Sequence, residues 1–137
     1  MNSIINNCKA VSAFLGGVLG WFIGGFDTLI YALIAFVSMD YITGVWLAVL
    51  EKKVSSDIGF KGISKKMMIF VLVALGNIID QLVIGNGSTL RSMLIMFYLS
   101  NEGISIIENA GRMGLPLPQK LKEALQKLDN NIPDKRQ

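Results

Sequence analysis

Charged side chains are missing from long stretches of this chain, and where they occur they come in tight groups. Residues 10–50 carry two charges, Asp27 and Asp40, and residues 67–84 carry one, Asp80. A bilayer core takes about 20 apolar residues to cross as a helix. The pattern therefore predicts an all-α integral membrane protein built from helical hairpins. Four apolar helices are expected, over residues 10–26, 28–50, 67–84 and 89–111, three or four of them spanning. Asp27 separates the first two. The run EKKVSSDIGFKGISKK (51–66) separates the second and third, and the turn GNGST the third and fourth.

Beyond residue 111 the pattern changes. Leu117, Leu121, Leu125 and Leu128 recur at helical spacing among lysines and Glu123, which predicts a short amphipathic helix. Pro116 and Pro118 separate it from the preceding helix, and Pro133 lies beyond its end. The expected organisation is a transmembrane region, 1–111, with a basic loop at 51–66, followed by an amphipathic tail, 112–137.

Basic residues set the orientation of membrane helices. Lys52, Lys53, Lys61, Lys65 and Lys66 lie in the loop, and Arg112, Lys120, Lys122, Lys127, Lys135 and Arg136 in the tail. Both segments are expected in the cytoplasm at the membrane surface, with two crossings between them. If the first helix spans, the N-terminus is inside. If it lies along the surface, three spans remain and the N-terminus is outside. The tight junction at Asp27 suits a hairpin and favours four spans. The first run has roughly the shape of a signal peptide, but no small-x-small cleavage site follows, so it is expected to be retained.

Gly16, Gly20 and Gly24 recur every four residues in the first helix, a spacing that lets helix backbones approach closely. The polar residues within the other helices need explanation, because an ionisable group at mid-bilayer costs roughly 2.5–3.5 kcal/mol on insertion scales. Asp40, Asn77 and the group Ser100, Asn101 and Glu102 fall at similar depth if consecutive helices run antiparallel. On the fourth helix, Arg91, Tyr98, Glu102, Ser105 and Asn109 share one face, which Asn101 and Glu108 widen. That stripe either faces other protomers or a water-filled opening, or is buried within one bundle against Asp40 and Asn77. The first alternative is the expected one. Asp80 and Arg91 flank the turn at 85–89, where either a mutual pair or solvation by headgroups lowers their cost.

Composition narrows the chemistry. Apolar residues make up 52% of the chain and charged ones 17%, against roughly 25% charged in soluble domains. Without histidine there is no imidazole catalysis. The single cysteine, Cys8, excludes an intrachain disulfide. There is no GxSxG elbow, Walker loop, HExxH helix or paired-cysteine site. No enzyme activity, cofactor or metal is expected, and a net charge of +3 is too small to argue for nucleic acid.

Two strings carry a family resemblance: DYITGVWLAVLEKKVSSDIGFKGISKK from Asp40, and YLSNEGISIIENAGRMGLPLPQKLKEAL from Tyr98. Together they resemble the bacteriophage holin family that includes clostridial toxin-secretion holins, over roughly residues 21–128. Asp40, Thr43 and Gly44 match one motif, Gly59, Phe60, Lys61 and Gly62 a second, and Asn101, Glu102, Ser105, Glu108 and Asn109 a third. The resemblance implies a homo-oligomer in the bacterial cytoplasmic membrane that forms timed lesions. Through these, endolysin or a large toxin passes without a required direct contact, and an antiholin is a further partner. An ion-conducting channel subunit and a non-permeabilising antiholin are the competing readings.

Overall fold

A computed structural model describes residues 1–130. Five α-helices make up nearly all of it: α1 (Asn2–Ile23), α2 (Thr28–Leu50), α3 (Ser56–Ile79), α4 (Thr89–Arg112) and α5 (Gln119–Asn130). A single π-helical turn, Asp80–Ile84, continues α3, and no strand occurs among the described residues. The expected apolar stripe of the tail falls partly on Leu125 and Leu128; these side chains, Pro133, Lys135 and Arg136 lie outside what the structure describes.

Two helices, Thr28–Leu50 and the continuous run Ser56–Ile84, are long and apolar enough to cross a membrane. Only 17% of the apolar stretch of α2 and 28% of that of α3 are buried. A core helix of a soluble protein would be mostly covered; these present Ile42, Trp46, Val49, Met67, Val71 and Leu75 outward. Their apolar surface needs lipid or other protein around it. Charges keep α4 below the same threshold, and polar residues at its N-terminal end do the same for α1.

The core is small and lies between α2, α3 and α4. Ile30, Leu33 and Val37 of α2 meet Ile69 and Val73 of α3 and Ile95 and Leu99 of α4. Gly76 allows α3 and α4 to close up: a Cβ there would lie 3.3 Å from the Arg91 backbone nitrogen. α2 and α4 run in the same direction, tied by Arg91–Asp27 at one end and Arg112–Glu51 at the other. α3 runs against both.

The observed helices differ from expectation at three points. The segment 51–66, read as a loop, is helical from Ser56, because Gly59 and Gly62 pack under Tyr41 instead of breaking the chain. α1 begins at Asn2, well before residue 10. The third difference concerns the hairpin expected at Asp27: the backbone of α1 comes close to α3 and to no other helix, α2 included. Its C-terminus explains the divergence. Gly24 and Gly25 both have positive φ, 89° and 98°. Their N–H groups donate back to the Gly20 carbonyl at 3.0 and 2.7 Å, a Schellman closure. Asp27 then starts α2 by accepting from the Ile30 N–H at 3.0 Å.

Candidate functional site

Two polar clusters sit in the bundle, each assembled from several helices. One lies among α2, α3 and α4, about ten residues from the ends that carry Glu51 and Arg112. The Lys66 ammonium donates to Asp40 Oδ2 and to Glu102 Oε2, both at 2.6 Å. Asn109 Nδ2 donates to the other Asp40 oxygen at 3.2 Å and to the Thr43 hydroxyl at 3.0 Å. Thr43 in turn donates to the Asp40 carbonyl at 3.1 Å. Asp40 and Glu102 are buried, at 9% and 8% exposure. Two carboxyl groups thus share one ammonium.

A cavity of about 740 Å3 opens beside this cluster. It runs from Glu102, Ser105 and Asn109 along Tyr41 and Gly44 to the α2–α3 turn at Lys53–Ser56. Water entering from that end would reach the cluster without crossing the apolar core.

The second cluster closes the opposite end. Arg91 is 2% exposed. Its guanidinium donates to Asp27 at 2.7 and 3.2 Å, to the Gly25 carbonyl at 3.0 Å and to the Ile23 carbonyl. Asn77 Nδ2 donates to the Trp21 and Phe22 carbonyls at 3.2 and 3.1 Å. The last carbonyls of α1, which no helical N–H can reach, are thereby satisfied. Asp80, fully buried, accepts from the backbone N–H groups of Leu90 and Arg91 at 3.0 and 2.9 Å. It caps α4 from a different element and puts a negative charge at the positive end of that helix. Asp80 and Arg91 thus meet through backbone, while the guanidinium turns to α1 and Asp27.

The candidate residues divide accordingly. Asp40, Glu102 and Asn109 come together, with Ser105 on the adjoining cavity wall. Asn77 and Arg91 join the second cluster. Asn101 and Glu108 stand exposed on α4 and join neither. Lys52, Lys53, Lys61 and Lys65 are exposed, whereas Lys66, grouped with them as a surface cation, turns inward. A physical signal for that existed: on a helix extended back from residue 67, Lys66 shares the face of Ile69, Val73 and Asn77. Of the glycines, Gly16 has no neighbour that a Cβ would touch, Gly20 lies against Phe26, and Gly24 caps α1. Within one protomer Glu102 and Asn109 of the α4 stripe join Asp40, whereas Asn77 turns to the α1 carbonyls.

Gly24 admits no side chain. At φ +89° a Cβ would lie 2.8 Å from Arg91 Nε and closer still to the Asn77 amide. Gly24→Ala should destabilise the protein in detergent by about 1–3 kcal/mol through backbone strain, with the clash in addition. Gly25→Ala, at φ +98° with open space around it, should cost less. Thermal unfolding of both variants measures the difference, and equal losses would mean that the contact with Asn77 and Arg91 contributes nothing.

Asp27 lies outside the apolar stretches. The hydrogen bond from Arg91 holds its carboxyl below the usual carboxylate range, against a weaker opposing effect of burial. Its folded-state value being depressed, the stabilisation is complete above the unfolded value and is lost as pH falls through the folded one. Unfolding titrations below about pH 4 should therefore show a steeper loss in the wild type than in Asp27→Asn. Parallel curves would disprove the contribution.

Residues 17–130 match the bacteriophage holin family. An uncharacterized 14.9 kDa protein from the nagH 3' region of Clostridium perfringens is 38% identical over 95% of this chain and 98% of its own. A Listeria innocua protein, also uncharacterized, is 44% identical over 80% of this chain and 78% of its own. The Bacillus subtilis protein YtkC is 30% identical over 82% and 84%. No solved structure matches.

Proposed function

Because the chain belongs to the bacteriophage holin family, we propose that it oligomerises in the host cytoplasmic membrane and opens timed lesions there for endolysin or a large toxin. The apolar helices and the family support a membrane location. In the proposed topology the α2–α3 turn, the exposed lysines and the C-terminal tail face the cytoplasm, following the positive-inside rule.

One observation carries the mechanism: the polar groups of α2, α3 and α4 satisfy one another inside a bundle whose exterior is apolar. A protomer in this state shows lipid little that is polar and can accumulate without damage. Lateral association through the exposed apolar faces of α2 and α3 then raises the local density of bundles. Asn101 and Glu108, already exposed on α4, offer the first polar contacts between copies. Opening exchanges the Lys66–Asp40–Glu102 bonds for water and for neighbouring protomers. The stripe of Glu102, Ser105 and Asn109 then lines the lesion, and the cavity beside it is the route by which water begins to enter.

Inducible expression in bacteria tests this, following membrane potential and release of a co-expressed cytoplasmic endolysin. A silent lag and then abrupt depolarisation with wall degradation is the expected course. Glu102→Leu with Asn109→Leu should insert normally but abolish or retime that event. Unchanged timing would overturn the role of the stripe. Gradual depolarisation without protein release would indicate an ion channel, and no effect at all an antiholin.

A further inference from the structure

The N-terminal helix is left without a partner over most of its length. Residues 2–19 are exposed, apart from half-buried Gly16. Only the end of α1 is docked, through its Schellman turn and the bonds from Asn77 and Arg91. Most helical stability in proteins comes from packing of one face, so some other surface must support it.

Its two faces differ in chemistry. Ile4, Val11, Phe14, Leu15, Val18 and Leu19 fall on one arc, intruded upon by Asn7. Asn2, Asn6, Lys9, Ala13 and Gly17 fall on the opposite one. The uncharged stretch of α1 that follows Lys9, residues 10–23, is 14 residues long and includes Ser12. That is short of the roughly 20 needed to span and within the range of interfacial segments. Exposed aromatic rings gather where α1 joins the bundle: Trp21, and Phe26 stacked on Tyr31 at 6.2 Å. Such rings are enriched at the boundary between headgroups and acyl chains.

We infer that α1 lies in the plane of the outer membrane surface as an amphipathic anchor, its apolar arc in lipid and its asparagine, lysine and glycine arc in water. The sidedness rests on the topology proposed above; the in-plane placement rests only on the chain being in a membrane. A second copy is a less suitable occupant than lipid, because exposed Trp21, Phe26 and Tyr31, rings of the kind found at a lipid boundary, gather at the same end of the helix. Arg91 and Asn77 then act as the pivot fixing the depth at which the three-helix core sits relative to its anchor. The chain crosses the membrane three times.

The experiment is a cysteine scan of the full chain in a Cys8→Ser background. Cells expressing sub-lytic amounts are treated with a membrane-impermeant maleimide. Asn6→Cys, Ala13→Cys and Gly17→Cys sample the polar arc, and Val11→Cys, Leu15→Cys and Val18→Cys the apolar one. Ser55→Cys, at the cytoplasmic turn, reports leakage and must stay unlabelled. The polar-arc positions should label from outside, and the apolar-arc positions roughly tenfold more slowly, as side chains withdrawn into the acyl boundary. A protected middle with Asn6→Cys unlabelled in intact cells would establish a fourth span and overturn the inference. Uniformly rapid labelling would overturn it too. So would protection of the apolar arc that vanishes when purified protein is diluted in excess lipid, since that marks a contact between copies. None of these readouts needs lysis to occur, so a failure of the lesion-forming role leaves them interpretable.

Discussion

Lys66→Met should cost about 3–5 kcal/mol, the range found when one partner of a buried ion pair is removed and the other charge stays behind. Here two carboxyl groups stay behind. Asp40 and Glu102 would face each other in an apolar bundle with no cation between them, Asn109 being the remaining donor to Asp40. Loss of inserted protein, or of resistance to unfolding in mixed detergent, is the measurement. The triple variant Asp40→Asn, Lys66→Met, Glu102→Gln keeps the shapes and removes every charge, and should recover most of the loss. It also separates folding from action. With the ionic lock gone and the bundle intact, the lag before membrane opening should shorten. A single Lys66→Met as stable as wild type would mean that the three side chains do not meet in the membrane.

Arg91→Met should cost less, about 1.5–3 kcal/mol, because Asp27 is half exposed and the loss is mainly that of charge-assisted hydrogen bonds at the other end. It strands Asp27 and frees the Ile23 and Gly25 carbonyls, while Asp80 still caps α4 through backbone N–H groups. The expected signature is local: amide hydrogen exchange rises at the end of α1 and the start of α2, and changes little near Lys66. Arg91→Lys should restore only part of the protection, because one ammonium cannot reproduce a planar fork spread over a carboxylate and two carbonyls. Unaltered exchange around residues 21–27 would show that the turn holds by its own hydrogen bonds.

Much of this architecture is legible in the residue pattern, for reasons that differ by element. α2 is expected at 28–50 and found at Thr28–Leu50, because Asp27 and Glu51 bound the apolar run; that Asp27 also caps the helix is seen only in the structure. α4 was expected within a residue of its observed end. α3 was cut short because two glycines and five lysines read as a loop, whereas the glycines serve close packing against Tyr41. The inward turn of Lys66 follows from that helical extension. As a loop residue Lys66 reads as a surface cation; as a helical one it falls on the face of Ile69 and Val73. The α4 stripe was recognised, but periodicity says only that polar groups share a side, not what lies opposite. Pairing across helices depends on rotation about each axis, which spacing within one segment does not contain. Asp80 was equally ambiguous, since a carboxylate flanking a turn can bond either a side chain or a helix end.

The docking of α1 has a consequence for how this protein can change over time. Asn77 and Arg91 grip main-chain carbonyls of residues 21–25, and Asp27 is the only side chain in that grip. Backbone oxygens are the same whatever residue bears them. Given glycine at 24 and 25 to make the turn, the N-terminal segment can be exchanged, lengthened or rewritten with little disturbance to the three-helix core. Membrane preference and tempo could thus diverge between relatives at one end of the chain while the ionic machinery at the other stays as it is.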